Sequence, residues 1–196
     1  LGIKQFDVIL VSGDTYIDSA YSGIAIIGRL LESKGYSVGI IAQPDMETGD
    51  IARLGEPKLF WGVSAGLVDS MVANYTALKK PRRSDDFTPG GKNTKRPDRA
   101  SIVYTGLIRR HFKDTVPIVL GGIEASLRRI AHFDFWGNNI RKSLLFDAKA
   151  DAIIYGMGEK TVLELAAALK NGSEWRDVRG LCYAAKEPKA EYISLP

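Results

Sequence analysis

The stretch Val119-Leu-Gly-Gly-Ile-Glu-Ala-Ser-Leu-Arg-Arg-Ile-Ala-His132 decides how this chain folds. An apolar run ends in a glycine pair, and a polar segment rich in helix formers follows at once. A buried parallel strand delivers its carboxyl end to a ligand crevice in this way. The two glycines admit backbone conformations closed to residues with a Cβ, and they let a partner approach closely.

The same signal recurs on either side. Phe6-Asp-Val-Ile-Leu-Val-Ser12, stopped by Gly13, reads as the first and central strand. Residues 38–42, closed by Gln43-Pro44, read as the second strand and residues 59–64 as the third. Residues 117–120 read as the fourth, 152–155 as the fifth, and 181–184 as a sixth, at the edge. Helical spacing lies between them. Ser22 is a candidate cap for a helix with Ile24, Ile27 and Leu31 on one face and Gly35 as the stop. Gly28 sits on that stripe, where glycine costs about 1 kcal/mol against alanine, and close helix–sheet packing is the expected reason. A short helix follows the second strand, and another begins near Val68. Residues 98–112 form a helix with Asp98 as its cap, and 160–170 form one with Val162, Leu165, Ala166 and Leu169 inward.

Strand–helix alternation predicts an α/β fold: a mostly parallel, Rossmann-like or flavodoxin-like sheet with helices on both faces. Ligands of such folds sit outside the carboxyl ends of the strands. One domain is expected over 1–185, interrupted by a basic loop at 80–97, with 186–196 as a linker.

Composition narrows the classes. The 196 residues suffice for one full domain. No apolar run approaches the ~20 residues of a membrane helix, and no signal peptide is visible. The chain starts at Leu1 and reads as an excerpt of something longer. A single cysteine, Cys182, excludes an internal disulfide and any all-cysteine metal or iron–sulfur site within one copy. It is read as a buried strand residue, and low cysteine use favours the cytoplasm. The net charge of +4 is uneven. From Lys79 to Arg99 eight basic residues face three acids, so this segment carries +5 and the rest −1.

The loops after the strands hold the chemistry: Gly13-Asp14-Thr15-Tyr16-Ile17-Asp18-Ser19, Ser64-Ala65-Gly66, Gly121-Gly122-Ile123-Glu124 and Gly156-Met157-Gly158-Glu159-Lys160-Thr161. Several backbones can approach one flat or phosphate-bearing ligand there. No G-x-G-x-x-G follows the first strand, and Gly158-Glu-Lys-Thr161 matches only the tail of a P-loop. Asp14, Asp18, Glu124 and Glu159 either converge on the crevice or serve turns and helix first turns. His111 ends a basic helix and His132 lies among aromatics, so a hydrolase triad has no support.

Six segments together carry a resemblance: Gly13-Asp-Thr-Tyr-Ile-Asp18, Val38-Gly-Ile-Ile-Ala-Gln-Pro44, Lys95-Arg-Pro-Asp-Arg-Ala100, Leu120-Gly-Gly-Ile-Glu-Ala-Ser-Leu-Arg-Arg129, Ala131-His-Phe-Asp-Phe-Trp136 and Lys149-Ala-Asp-Ala-Ile-Ile-Tyr-Gly-Met-Gly-Glu159. Over nearly its whole length the chain resembles the N-terminal region of the YgiQ-type radical SAM proteins. The resemblance implies a longer parent whose downstream C-x₃-C-x₂-C motif holds a 4Fe-4S cluster that cleaves S-adenosylmethionine. This fragment would then not be active alone. It also implies a fold like the cobalamin-binding domain that precedes many radical SAM barrels. The D-x-H-x-x-G signature of the best-known cobalamin domains is not met, because Asp18-Ser-Ala-Tyr-Ser-Gly23 has no histidine. The resemblance still leaves open a cobalamin bound without a protein imidazole, and it puts axial ligation from this loop in question.

Three roles follow. The first is an accessory domain that positions a substrate or cofactor, with Asp14, Tyr16, Asp18, Gly121, Gly122, Glu124, Gly158 and Glu159 at the crevice. The second is an RNA-binding module using the eight cations, with Tyr75, Phe87 or Tyr104 stacking on bases. The third is an interaction module whose segment Phe133-Asp-Phe-Trp136 docks on the downstream barrel.

Overall fold

The computed structural model describes residue 2 and residues 4–187. The expected linker at 186–196 lies almost entirely outside the described residues. Six strands form one sheet: β1 (Val8–Ser12), β2 (Val38–Ala42), β3 (Phe60–Ser64), β4 (Ile118–Gly121), β7 (Ala152–Ile154) and β8 (Leu181–Cys182). A separate two-stranded ribbon pairs β5 (His132–Asp134) with β6 (Asn139–Arg141). The helices are α1 (Gly23–Ser33), α2 (Ser70–Asn74), α3 (Ala100–His111), α4 (Gly122–Leu127), α5 (Leu144–Ala148) and α6 (Glu159–Asn171), with 3-10 turns at Asp50–Ala52 and Trp175–Asp177.

The sheet order is β2-β1-β3-β4-β7-β8. All pairings are parallel except the last, where β8 runs against β7. This is the flavodoxin-like order with an antiparallel edge added, and it reverses direction between β1 and β3. β1 is buried at all five positions because it has strands on both sides and helices on both faces.

Alternate residues of each strand divide the core in two. Ile9, Val11, Trp61, Val63, Ile118 and Leu120 pack with α3 and α5. Val8, Leu10, Phe60, Val119 and Ile154 face the other way, toward α1 and α6. Gly28 is buried on α1, but a Cβ there would meet Ile40 and Leu10 at 3.7 and 3.8 Å, ordinary contact distances. Close packing does not by itself demand glycine at that position.

Two helix starts depart from expectation. Asp98 does not cap α3; the capping position is Arg99, in the left-handed region at φ 53°. Asp98 instead accepts hydrogen bonds from Asn74 Nδ2 at 2.8 Å and the Tyr75 hydroxyl at 2.7 Å, tying the end of α2 to the start of α3. Ser22 occupies the capping position of α1 without a side-chain cap bond. Cys182 lies on the short edge strand and is only partly buried.

The basic loop is ordered by internal partners. Isolated bridges join Tyr75 to Pro81 and Ser84 to Lys92. The Arg82 Nε donates to the carbonyls of Val72 and Tyr75. Arg96 and Arg99 are held by carboxylates. Arg96 and Arg99 are thus neutralised by carboxylates of the fold, and Arg82 and Lys79 donate to backbone carbonyls.

Candidate functional site

A cavity of about 300 Å³ opens at the carboxyl ends of the strands, on the α1/α6 side of the sheet. Its inner wall is apolar: Leu10, Phe60, Val119 and Ile154 from the strands, Ile24 and Ile27 from α1, and Val162 from α6. Its mouth is polar: Ser12, Asp14, Ser22, Ser64 and Glu159, together with the backbones of Gly121, Gly122, Gly156 and Gly158. Among the described residues, Asp14 and Glu159 are the only charged side chains in the lining, and no histidine, lysine or arginine is part of it.

The two glycines of the opening motif do different work. Gly122 sits at φ +81°, and a Cβ on it would lie 2.7 Å from Ser64 Oγ. Glycine there lets β4 turn into α4 while touching the end of β3. Gly121 has extended backbone, and a Cβ on it would meet nothing within 4 Å. Its missing side chain leaves the crevice mouth open.

Asp14 forms part of the wall and is almost fully buried. Its carboxylate accepts from the Leu67 N–H and from the guanidinium of Arg96. Arg96 has no exposed side-chain surface, and its Nη1 also lies 3.1 Å from Asp85. Burial pushes the Asp14 carboxyl above its usual range, and the Leu67 N–H and Arg96 offset this only in part.

Of the residues singled out in the sequence, Asp14, Gly121, Gly122, Gly158 and Glu159 meet around this cavity. Tyr16, Asp18 and Glu124 are not in its lining. Asp18 pairs with Arg29 at 2.5 Å on the exposed surface, with the Tyr16 hydroxyl 3.5 Å away. Glu124 is buried on the inner side of the first turn of α4. It accepts from the Ser70 N–H at 2.8 Å, from the Ser70 hydroxyl, and from the Ser101 N–H at 3.2 Å. One carboxylate thereby closes the starts of α2 and α3, whose first N–H groups lack partners within their own helices.

The α1 wall, Ile24 and Ile27, had been read only as core. Arg96, which backs Asp14, belongs to the basic run and also to the Lys95–Ala100 segment that carries the family resemblance. Its place in the family motif is the signal in the sequence for a structural role rather than a generic basic tail.

The Radical SAM N-terminal family matches residues 1–196. The chain belongs to that family. Members similar to it include UPF0313 proteins of Fusobacterium nucleatum and Thermotoga maritima. The first is 60% identical over 198 residues, covering 100% of this chain and 35% of that protein. The second is 56% identical over 200 residues, with the same coverage. This Radical SAM N-terminal chain thus spans about a third of the length of the curated relatives it matches.

Among solved structures, the fold is similar to that of the radical S-adenosylmethionine methyltransferase TsrM from Kitasatospora setae. One structure of that enzyme, with tryptophan and a SAM analogue bound, gives a TM-score of 0.61 at 21% identity, covering 91% of this chain and 28% of that one. A second, with cobalamin and a [4Fe-4S] cluster bound, gives 0.60 at 20% identity, covering 91% and 29%. The likeness establishes a shared architecture for the Radical SAM N-terminal domain. Among the described residues no helix is long and apolar enough to cross a membrane.

Proposed function

We propose that this Radical SAM N-terminal domain holds a cofactor or substrate at the strand carboxyl ends for a radical SAM enzyme formed by the full-length polypeptide. The apolar cavity, opening between the Gly121-Gly122 and Gly156-Met157-Gly158 loops, carries this reading. The radical step itself calls for S-adenosylmethionine and a 4Fe-4S cluster whose cysteine ligands would lie elsewhere, since this chain has only Cys182. A cytoplasmic setting suits such a cluster.

The crevice has the right chemistry for one form of cobalamin binding. No imidazole lines it; His111 lies against Gly49 at the far end of α3, and His132 lies on the ribbon. This chain would therefore supply no axial ligand to cobalt. Leu10, Ile24, Ile27, Val119 and Val162 form a slot that would bury an apolar ring of the cofactor's tail, with Ser64, Asp14 and Glu159 meeting polar groups at the mouth. Bound cobalamin would supply methyl-group transfer. The protein's part is to bury, orient and keep water from the ligand.

The test is Gly121→Leu in the reconstituted full-length protein. The backbone there is extended and a side chain has room, so folding is expected to be unchanged by circular dichroism. Binding of hydroxocobalamin by equilibrium dialysis, and SAM cleavage, should both be measured. Loss of ligand binding in a folded variant supports the site. Undiminished binding and turnover would remove it from consideration.

A further inference from the structure

The β5–β6 ribbon is built the wrong way round for a free surface element. Antiparallel ribbons with one covered face normally put apolar residues inward and polar ones outward. Here Phe133 pairs with Ile140 across the two strands, and Phe135 follows in the turn that joins them. All three face outward, with 58%, 74% and 50% of their surfaces exposed. The inward face is polar. Asp134 is buried and bound by Arg99 at 2.7 Å, and Arg141 reaches Asp147 of α5 at 2.8 Å. A slip of one residue would turn every side chain over and bury the aromatics. The two ion pairs fix the register that presents them to solvent.

The place of the ribbon says what covers it. Arg99 stands at the start of α3, and the neighbouring N–H groups of Ala100 and Ser101 are bound by Ser70 and Glu124, which follow the carboxyl ends of β3 and β4. The ribbon is therefore at the same end of the sheet as the crevice mouth. A cation rims it: Lys79 Nζ lies 4.7 Å from the centre of the Phe135 ring. Relatives that contain the whole of this chain are about three times as long.

We propose that the outward face of Phe133, Phe135 and Ile140 is the seat of the downstream part of the same polypeptide, through an apolar patch with an acidic flank. Seated there, that part closes over the crevice end of the sheet. The proposal does not depend on what the crevice binds.

The test uses the full-length protein with a benzophenone-bearing phenylalanine analogue replacing Phe133 in one variant and Ile140 in another. Both positions are exposed, so the domain tolerates the change. Asn171, exposed at the last residue of α6, is the control position. After irradiation, cross-linked peptides are mapped by mass spectrometry. Cross-links from 133 and 140 to peptides beyond residue 196 of the same chain, at a yield independent of protein concentration, are expected. The control should give none to the same peptides. Introducing Phe133→Asp should abolish the cross-link from position 140, because a carboxylate would have to be buried in the contact. Cross-links only between copies would overturn the proposal in favour of a homodimer face. Absence of any cross-link at 133 and 140, or capture only of another protein, would also overturn it.

Discussion

The guanidinium of Arg96 is enclosed between the carboxylates of Asp14 and Asp85, although Arg96 and Asp14 are 82 positions apart in sequence. The basic insertion thus folds back to support the crevice wall from behind. Arg96→Gln leaves two carboxylates facing each other in the interior. Breaking a buried pair of this kind costs about 3–5 kcal/mol. Equilibrium urea unfolding should show a fall of that size. A change within the error of the extrapolation would mean that the wall does not rely on the arginine.

The pH dependence of that variant has a definite sign. Burial already raises the folded Asp14 carboxyl above its ordinary value, so the folded state takes up its proton more readily than the unfolded state. Asp14 therefore contributes more to stability as pH falls from the raised folded value toward the ordinary carboxylate value. Removing Arg96 raises the folded value further. The deficit of Arg96→Gln should be largest at neutral pH and shrink on mild acidification, as read by thermal melts across that window. A deficit that grew on acidification would contradict this account of Asp14.

Gly122→Ala and Gly121→Ala should part company. The first forces a Cβ into left-handed backbone and to within 2.7 Å of Ser64 Oγ, a cost of at least about 1–2 kcal/mol from the backbone alone. The second places a methyl in open space. Thermal denaturation should separate the two adjacent substitutions, and equal melting temperatures would refute the distinction.

Glu124→Ala removes the acceptor for three buried donors, the Ser70 N–H and hydroxyl and the Ser101 N–H. Each donor left unsatisfied costs about 1–3 kcal/mol. The variant should be severely destabilised in chemical denaturation. Wild-type stability with altered ligand affinity would return Glu124 to the crevice.

Asp134 titrates in the opposite sense to Asp14. Burial pushes its carboxyl up, but hydrogen bonds from Arg99 and the Gly137 N–H outweigh this and leave it below the ordinary value. Its contribution is fully present above the ordinary carboxylate pKa and is lost as pH falls through the lower folded value. Asp134→Asn should remove about 1.5–3 kcal/mol at neutral pH and flatten the acid limb of the stability curve. An unchanged acid limb would show that the ribbon is not anchored by this pair.

The sheet was readable because buried parallel strands leave plain apolar runs: all six expected strands form, each within two residues of its expected ends. The glycine motifs gave the loops of the crevice for the same local reason. Long-range pairing was not readable. Nothing near Arg96 announces that its partners are Asp14 and Asp85, and Asp98 looked like a cap because only its own neighbourhood was in view. The ribbon was missed because His132–Asp134 and Asn139–Arg141 are too short for periodicity to register, and its inverted faces hide the alternation that marks a covered strand. Glu124 looked like a ligand group because it follows two glycines. It stands instead in the first turn of the helix they begin, on its buried side, and the serines that meet it come from elsewhere in the chain.

The cavity draws its lining from residues as far apart as Leu10 and Val162, with α1 and α6 supplying its two helical walls. No contiguous fragment contains a usable part. During synthesis the chain emerges from its amino end, and domains generally fold as units. The slot between α1 and the sheet therefore stays open along its α6 side until Val162 has left the ribosome. Every polar residue of the mouth, from Ser12 to Glu159, precedes Val162, so the rim of the slot is made before the last piece of its apolar wall.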